Sequence, residues 1–441
     1  MVKNIKRFKK HCEREKTMPQ ELEQLLNSLG SWRLPVSQRN ALQHQTAMGR
    51  EFSSRCSVLS GLSKRKKRSI LEESASNSTT NSCVSLPINE GETHAQIPIS
   101  LLKIIPTTFS LPSEYSLFTE EYRRSPSSIK WIVKPVNGAQ GSGIHIARSI
   151  TSIRKWIQSR WALHAIGGNT NGSAHLYCGA SLGSGMTIAP QQRDFVCQKY
   201  IDKPYTLGGK KFDLRLYALV TSYRPLQLWM YLDGFCRFSG TKYSSASDTL
   251  SNDAMHLTNV AVQKRSGEQF NSRHGQKWRL ENLELYLNQS LGAPVWQHVW
   301  QQIQVIVATS IYSVQSSMIN DRHCFELYGY DILLDQDLRP WLLEVNSSPS
   351  LSSTTLEDRC MKRALLRDTF EIVSRTLREN TRRGSLNNSG ISCATPFALC
   401  RRGTRVGDFE LLINEHVHRQ REQRRSSNSN TSLRYVRDGW K

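Results

Sequence analysis

The chain lacks any run of about 18 uninterrupted apolar residues, which argues against a helical membrane span. Its longest apolar candidate, Ile303 to Ile311, is short and already interrupted by Gln304, Thr309 and Ser310. The opening residues, Met1 to Lys10, are basic and have no apolar core, unlike a secretory signal. Ten cysteines are present but none forms a C-x-x-C pair, so a zinc ribbon and a thioredoxin motif are both disfavoured. Without a secretory signal these cysteines read as reduced, cytosolic thiols. Acidic residues are scarce: 37 Asp and Glu face 59 Lys and Arg, a formal charge of +22. That surplus favours an acidic partner, whether nucleic acid, an anionic membrane or an acidic protein tail. No nucleic-acid-binding module accompanies the charge and much of it lies near the two ends, so nucleic acid is not expected. Apolar residues make up only 38%, which implies that part of the 441-residue chain stays unfolded.

What is there has a clear order along the chain. Residues 1–26 are rich in Lys and Arg, whereas 27–96 lose all periodicity and read as a disordered insertion. That insertion carries the basic run Lys64 to Arg68 and the polar tract Glu72 to Ser82. Order resumes near Ile104. Trp131-Ile132-Val133 reads as a buried strand, followed by the turn Gly138 to Gly143 and a second strand at Ile144 to Ala147. Gly167 to Gly185 reads as a surface loop, and strands dominate from Phe195 to Phe238. Apolar residues recur every three or four positions from Val299 to Met318 and again from Leu366 to Leu377, two amphipathic helices. Beyond 380 the chain is a basic, mostly disordered tail, apart from an apolar patch at Phe409 to Ile413.

Three constellations carry chemistry. The turn after Lys134-Pro135 puts three glycines in six residues, Gly138-Ala139-Gln140-Gly141-Ser142-Gly143, either a tight hairpin or a loop whose N–H groups approach phosphate. It is neither a Walker A loop nor the dinucleotide fingerprint. In Lys211-Phe212-Asp213-Leu214-Arg215 the alternate residues share one strand face, so Lys211, Asp213 and Arg215 project together. Two cations around a carboxylate suit a polyphosphate with its metal, or an ordinary salt-bridged strand. Finally, Tyr328 to Leu334 and Trp341 to Asn346 read as a hairpin around Asp335-Gln336-Asp337, with Asp331 opposite Glu344. Glu344 and Asn346 share a face, and burying two carboxylates without a cation is costly, so these three oxygen donors point to magnesium. His256-Leu257-Thr258-Asn259 adds hydroxyl and amide groups that could meet a ribose or phosphate, or simply cap a helix.

Together these segments resemble the tubulin tyrosine ligase-like family. The resemblance rests on Lys134-Pro135, Gln140-Gly141-Ser142-Gly143-Ile144, Gln198-Lys199-Tyr200-Ile201, Lys211 to Arg215, His256 to Asn259, Tyr328-Gly329-Tyr330-Asp331 and Leu343-Glu344-Val345-Asn346-Ser347-Ser348-Pro349-Ser350. It covers about Ile104 to Leu377 and is nearest to the first and ninth members, both linked to tubulin polyglutamylation. It implies an α+β, ATP-grasp fold with a shortened amino-terminal lobe, a central subdomain at 97–205 and a carboxy-terminal subdomain at 206–380. It also assigns roles. Lys134, Gln140, Gly141, Gln198, Lys199, Tyr200, Ile201, Lys211, Phe212, Asp213, Thr258 and Asn259 would bind ATP. Asp331, Glu344 and Asn346 would bind Mg2+. Arg215 and Arg237 would be catalytic, facing the γ-phosphate and an acyl phosphate, while Arg237, His256, Lys277 and Arg359 would hold the incoming glutamate or the acceptor.

The implied activity is ATP-dependent addition of free L-glutamate to glutamate side chains in tubulin tails. The implied setting is the cytoplasm and cytoskeleton, at a cilium, basal body or flagellar axoneme. Relatives usually carry Lys or Arg where this chain has Ser142, so weaker phosphate binding is expected. Two alternatives remain: a catalytically weak subunit docking a polyglutamylase complex on microtubules, and a tubulin glycine ligase.

Overall fold

The computed structural model describes residues 1–29, 38, 42, 102–136, 138, 141–165, 194–265, 277–292, 294–321, 323–385 and 400–416. Lys64 to Arg68, Glu72 to Ser82, Gly167 to Gly185, Gln140 and nearly all of the expected insertion lie outside them. The chain opens with helices α1 (Val2–Glu15) and α2 (Gln20–Leu29), so the helical amino-terminal segment runs three residues past the expected boundary at 26. Among the described residues the strands form two antiparallel sheets, one of four strands and one of nine. With helices packed on both, the class is α+β. No helix of the described residues is long and apolar enough to cross a membrane.

The smaller sheet has the order β1 (Thr108–Leu111), β4 (Phe195–Lys199), β2 (Trp131–Pro135), β3 (His145–Ala147). Period-two alternation divides its residues. Trp131, Val133, Phe195 and Cys197 pack with Phe118 of α3 (Tyr115–Arg124) and Ile153 and Ile157 of α4 (Ile150–Ala165). Ile132, Lys134, Val196 and Gln198 fall on the opposite face, towards a cleft.

The larger sheet is centred on β6 (Lys210–Tyr223), which follows β5 (Thr206–Leu207) and precedes β7 (Leu226–Tyr231) and β8 (Phe235–Lys242). Two short helices, α5 (Asp253–His256) and α6 (Val260–Arg265), lead towards β9 (Lys277–Arg279) and α7 (Leu280–Leu291). Then come α8 (Val295–Gln315), β10 (Glu326–Leu334), β11 (Pro340–Asn346) and α9 (Leu356–Ser385). Leu214, Leu216, Ala218 and Val220 of β6 face α7 and α8, while Tyr217 and Leu219 face Met361, Leu365 and Ile372 of α9. Covered on both faces, β6 and β7 read as nearly continuous apolar runs. α8 is buried around most of its circumference because α1 and α2 pack on it as well.

The polar turn expected between β10 and β11 is held by Asp335, whose Oδ1 accepts the backbone N–H groups of Asp337 and Arg339, both at 3.0 Å. The apolar patch that stands apart in the basic tail falls on a strand: β12 (Arg405–Val406) and β13 (Phe409–Asn414) complete the large sheet, β13 pairing with β7. Phe409 and Leu411 are fully buried there against Tyr231, Trp229 and α9.

Candidate functional site

The apolar face that β6 presents to α9 turns charged at its start, and this change builds the site. Lys211, Asp213 and Arg215 continue the row of Tyr217 and Leu219, beyond the cover of α9. Strand register then adds partners in two parallel rows. In the first, Glu344 of β11 lies opposite Asp331 of β10, which lies opposite Arg215. In the second, Asp213 lies opposite Arg237 of β8, which lies opposite Lys277 of β9.

Arginines stitch the rows together. Arg215 donates from Nε to Asp331 Oδ1 at 2.6 Å and from Nη2 to Oδ2 at 3.1 Å. Arg237 Nη2 reaches the same Oδ2 at 2.7 Å, while its Nε donates to Asp213 Oδ1 at 2.9 Å and its Nη2 also contacts Asp213 Oδ2. Burial alone would raise the Asp331 carboxyl, but Arg237 and Arg215 outweigh it and hold the group below the usual range. The counter-charge that burial of Asp331 and Asp213 demands is thus supplied by arginines, a salt-bridge role that period-two spacing alone does not separate from metal binding. Glu344 has no arginine partner among the described residues and stays exposed at the cleft rim, so only Asp331 of the two expected carboxylates is buried. Partial loss of hydration, and then the charge of Asp331, still push the Glu344 carboxyl up, against Lys134 and the arginines.

A cavity of about 820 Å3 opens between the two sheets, inside the range of roughly 300–1,000 Å3 typical of ligand clefts. Lys134, Gly141, Gln198, Lys199, Tyr200, Ile201, Lys211, Asp213, Arg237, His256, Thr258, Asn259, Asp331, Glu344 and Asn346 all line it. Gly141 takes a left-handed φ of +76°, and a Cβ there would press on Val262 at 2.8 Å and Asn259 at 3.0 Å, so glycine is required. Asn259 immediately precedes α6, its carbonyl accepting from Val262 and Gln263, while His256 ends α5, so the His-Leu-Thr-Asn segment both joins two helices and lines the cleft.

A relay of hydrogen bonds fixes the lysine end. His256 Nε2 is 2.9 Å from the Thr249 carbonyl oxygen, which can only accept, so Nε2 carries the proton. Nδ1 therefore accepts from Tyr200 Oη at 3.0 Å. Lys211 Nζ donates to Tyr200 Oη at 3.0 Å and to the His256 carbonyl at 2.8 Å. Burial and then Lys211 push His256 down to about 4, so the ring is neutral. Burial also pushes Lys211 down to about 7, although Asp213 favours its charge. Lys134, likewise lowered by burial, donates to Gln198 Oε1 at 3.3 Å. Among the described residues these two lysines have no carboxylate at hydrogen-bond distance, an arrangement suited to a polyanion.

Four of the expected site residues sit elsewhere. Phe212 points away from the cleft and is packed in the core with Tyr205 and Phe238, because it alternates with Lys211 and Asp213. Arg215 touches the site through Asp331 and does not line the cavity. Lys277 lies beyond Arg237 and pairs with Asp358 at 2.6 Å. Arg359 is exposed on α9, one helical step from the inward Asp358. The sequence also concealed contributors: the apolar walls Ile132, Ile144, Leu257, Leu333 and Leu342, the first turn of α1 at Lys3 and Asn4, and buried Asp358. The apolar walls read only as core, since nothing in a short hydrophobic run marks the face that meets a ligand.

The result is a charged cleft between two sheets, with lysines at one side and carboxylates, two of them paired with arginines, at the other. The model of the tubulin-tyrosine ligase family matches residues 63–382, and the chain belongs to that family. It is 40% identical over 314 residues to the probable alpha-tubulin polyglutamylase Ttll1 of Tetrahymena thermophila, covering 71% of this chain and 68% of that protein. To the probable tubulin polyglutamylase TTLL9 of Mus musculus it is 40% identical over 316 residues, 70% of this chain and 63% of the relative. To the tubulin monoglutamylase TTLL4 of Mus musculus it is 35% identical over 282 residues, 61% of this chain but 20% of that longer protein. The matched segment thus spans less than two thirds of TTLL9 and a fifth of TTLL4.

Proposed function

We propose that the chain is an ATP- and magnesium-dependent ligase of ATP-grasp architecture that joins glutamate to glutamate side chains in tubulin tails. The observation that carries this reading is the convergence in one cleft of Lys134 and Lys211 from two different sheets upon the Asp331, Glu344 and Asn346 donors. Family membership, and the glutamylating activities for which the relatives are named, support the substrate. The apolar walls Ile132, Leu257 and Leu342 would sandwich an adenine beside the Gln198 to Ile201 segment, and the lysines would hold the phosphates.

The donor set fits magnesium. Two carboxylates and an amide oxygen leave room for phosphate and water ligands, and a divalent ion would offset the lost hydration and, after it, the Asp331 charge that together raise Glu344. When bound, magnesium would neutralise phosphate charge during transfer. In the reaction a tail γ-carboxylate oxygen attacks the γ-phosphorus of ATP, ADP leaves, and an acyl phosphate forms. The amino group of glutamate then attacks the acyl carbon, phosphate departs and the isopeptide bond closes. Arg215 and Arg237 would stabilise the transferring phosphoryl group, work that rests on positioning and fixed charge. The setting we propose is the microtubule cytoskeleton, including cilia and basal bodies.

One observation supports a second reading. Both oxygens of Asp331 already accept from arginines, so a metal must displace one of them. A microtubule-docking subunit of a polyglutamylase complex, in which those pairs persist, would bind tubulin without turning ATP over. Incubation with microtubules, ATP, magnesium and labelled glutamate or glycine separates the readings. Glutamate incorporation that requires ATP and magnesium supports the ligase. Binding with no incorporation supports the docking subunit, and incorporation of glycine alone overturns glutamate as substrate.

A further inference from the structure

Lys277 stands opposite Arg237 in the β8–β9 ladder, but the two cations differ in their commitments. Arg237 is consumed by Asp213 and Asp331. Lys277 lies over the Phe235 ring and, among the described residues, pairs with one carboxylate, Asp358, whose side chain is 0% exposed and whose Oδ2 accepts from Lys277 Nζ at 2.6 Å. The other Asp358 oxygen is paired with Lys362 Nζ at 2.9 Å. Two ammonium groups therefore share one carboxylate. This cluster, set one strand behind the cavity-lining Arg237, has two ammonium groups to one carboxylate, a positive balance that a substrate carboxylate reaching past Arg237 can complement.

Asp358 also governs backbone. Its Oδ2 accepts the Thr354 N–H at 3.1 Å, and Lys362 carries the tie on to the Ser352 carbonyl. These contacts close the loop that leaves Asn346 and runs through Ser347 and Ser348 along the cavity. The loop is pinned at its middle as well, where Pro349 lies so close to Gly329 that a Cβ there would meet it at 2.8 Å. One buried carboxylate thus connects the strand that carries Lys277 to the loop that follows Asn346.

We propose that Asp358 is the positioning residue of the amino-acid end of the site, holding Lys277 beside Arg237 to receive a carboxylate of the incoming glutamate. The proposal rests on the ligase reading above. A plain helix-capping role would also bury an acid in the first turn of α9, where Asp358 N–H donates to Thr355 Oγ1 at 3.2 Å. Cap loss lowers stability; it does not single out one substrate.

The test is Asp358→Asn in the full chain, with KM measured separately for ATP and glutamate. Glutamate KM should rise by at least roughly ten-fold, the scale of one charge-assisted contact, with ATP KM within about two-fold. Lys277→Met should give a similar rise, and adding Asp358→Asn to it should add less than about two-fold, because one contact cannot be lost twice. If Asp358→Asn fails to fold, Lys277→Met alone carries the test. An unchanged glutamate KM in Lys277→Met, or parallel losses for ATP and glutamate in Asp358→Asn, would overturn the positioning role and leave the ligase reading intact. A wild-type protein that ligates no glutamate would overturn both.

Discussion

Arg237 stands directly across from Asp213 in the β6–β8 ladder and donates to it from Nε at 2.9 Å, while its second arm extends to Asp331. Burial opposes the guanidinium charge, but Asp213 and Asp331 outweigh it and hold Arg237 protonated well above its usual range. A planar fork makes this bridge; a single ammonium cannot reach both acids with the same geometry. Arg237→Lys should therefore keep ATP affinity within a few-fold while ligation falls by roughly 100-fold or more, as for other fixed transition-state donors. Separate ATP and glutamate titrations check this. Collapse of ATP affinity with normal glutamate dependence would move Arg237 to the nucleotide end.

Among the described residues Glu344 pairs with no arginine, and lost hydration, then the charge of Asp331, raise its carboxyl. Glu344→Gln keeps shape and volume and removes the charge. Ligation should drop by about 100-fold or more, with the melting temperature unchanged or slightly higher, since a like charge beside Asp331 disappears. Near-normal magnesium-dependent turnover would show that the ion is held elsewhere.

Lys211 gives a pH signature. Its folded pKa, pushed down by burial to about 7, lies below the usual lysine value, so Lys211 itself is largely neutral above pH 7. A bound polyphosphate favours the ammonium form, so ATP binding at pH 8 should take up a proton. Affinity should fall as pH rises from about 7, by at most ten-fold per unit for one proton. Calorimetry in buffers of different ionisation enthalpy counts that proton. Lys211→Met should bind ATP weakly and take up none; equal uptake in this variant would assign the proton to another group.

Phe409 is fully buried between Tyr231 and α9, with ring centroids 4.8 Å apart for the aromatic pair. Phe409→Ala should destabilise the protein by about 3–5 kcal/mol, the cost of emptying a large core position. Denaturant titration measures it. A loss below about 1 kcal/mol would mean that β13 is peripheral to the core.

The local periodicities were legible because they need only a few neighbouring residues. Spacing of two aligned Lys211, Asp213 and Arg215, and placed Asp331 opposite Glu344, as the register shows. The pairing of Arg237 with Asp213 and Asp331 was hidden, because it depends on which distant strands become neighbours, across 24 and 94 residues. Arg359 illustrates a finer limit. On a helix, one residue turns the side chain by about 100°, so Asp358 is buried while Arg359 faces solvent. The strand at Phe409 to Asn414 was obscured by the basic, polar sequence around it, although its apolar patch was visible. Asp358 looked like an ordinary acidic residue at a helix start, and only the tertiary placement of Lys277 and Lys362 gives it another meaning.

The central claim is that this cleft couples ATP cleavage to an isopeptide bond on a glutamate side chain. Mass spectrometry of tubulin tail peptides after incubation with the protein, ATP, magnesium and isotope-labelled glutamate tests it most directly. The account predicts labelled glutamate attached through the γ-carboxyl of a tail glutamate, lost without ATP or magnesium and lost in Glu344→Gln. Unmodified tails under complete conditions, or label that appears without ATP, would contradict it.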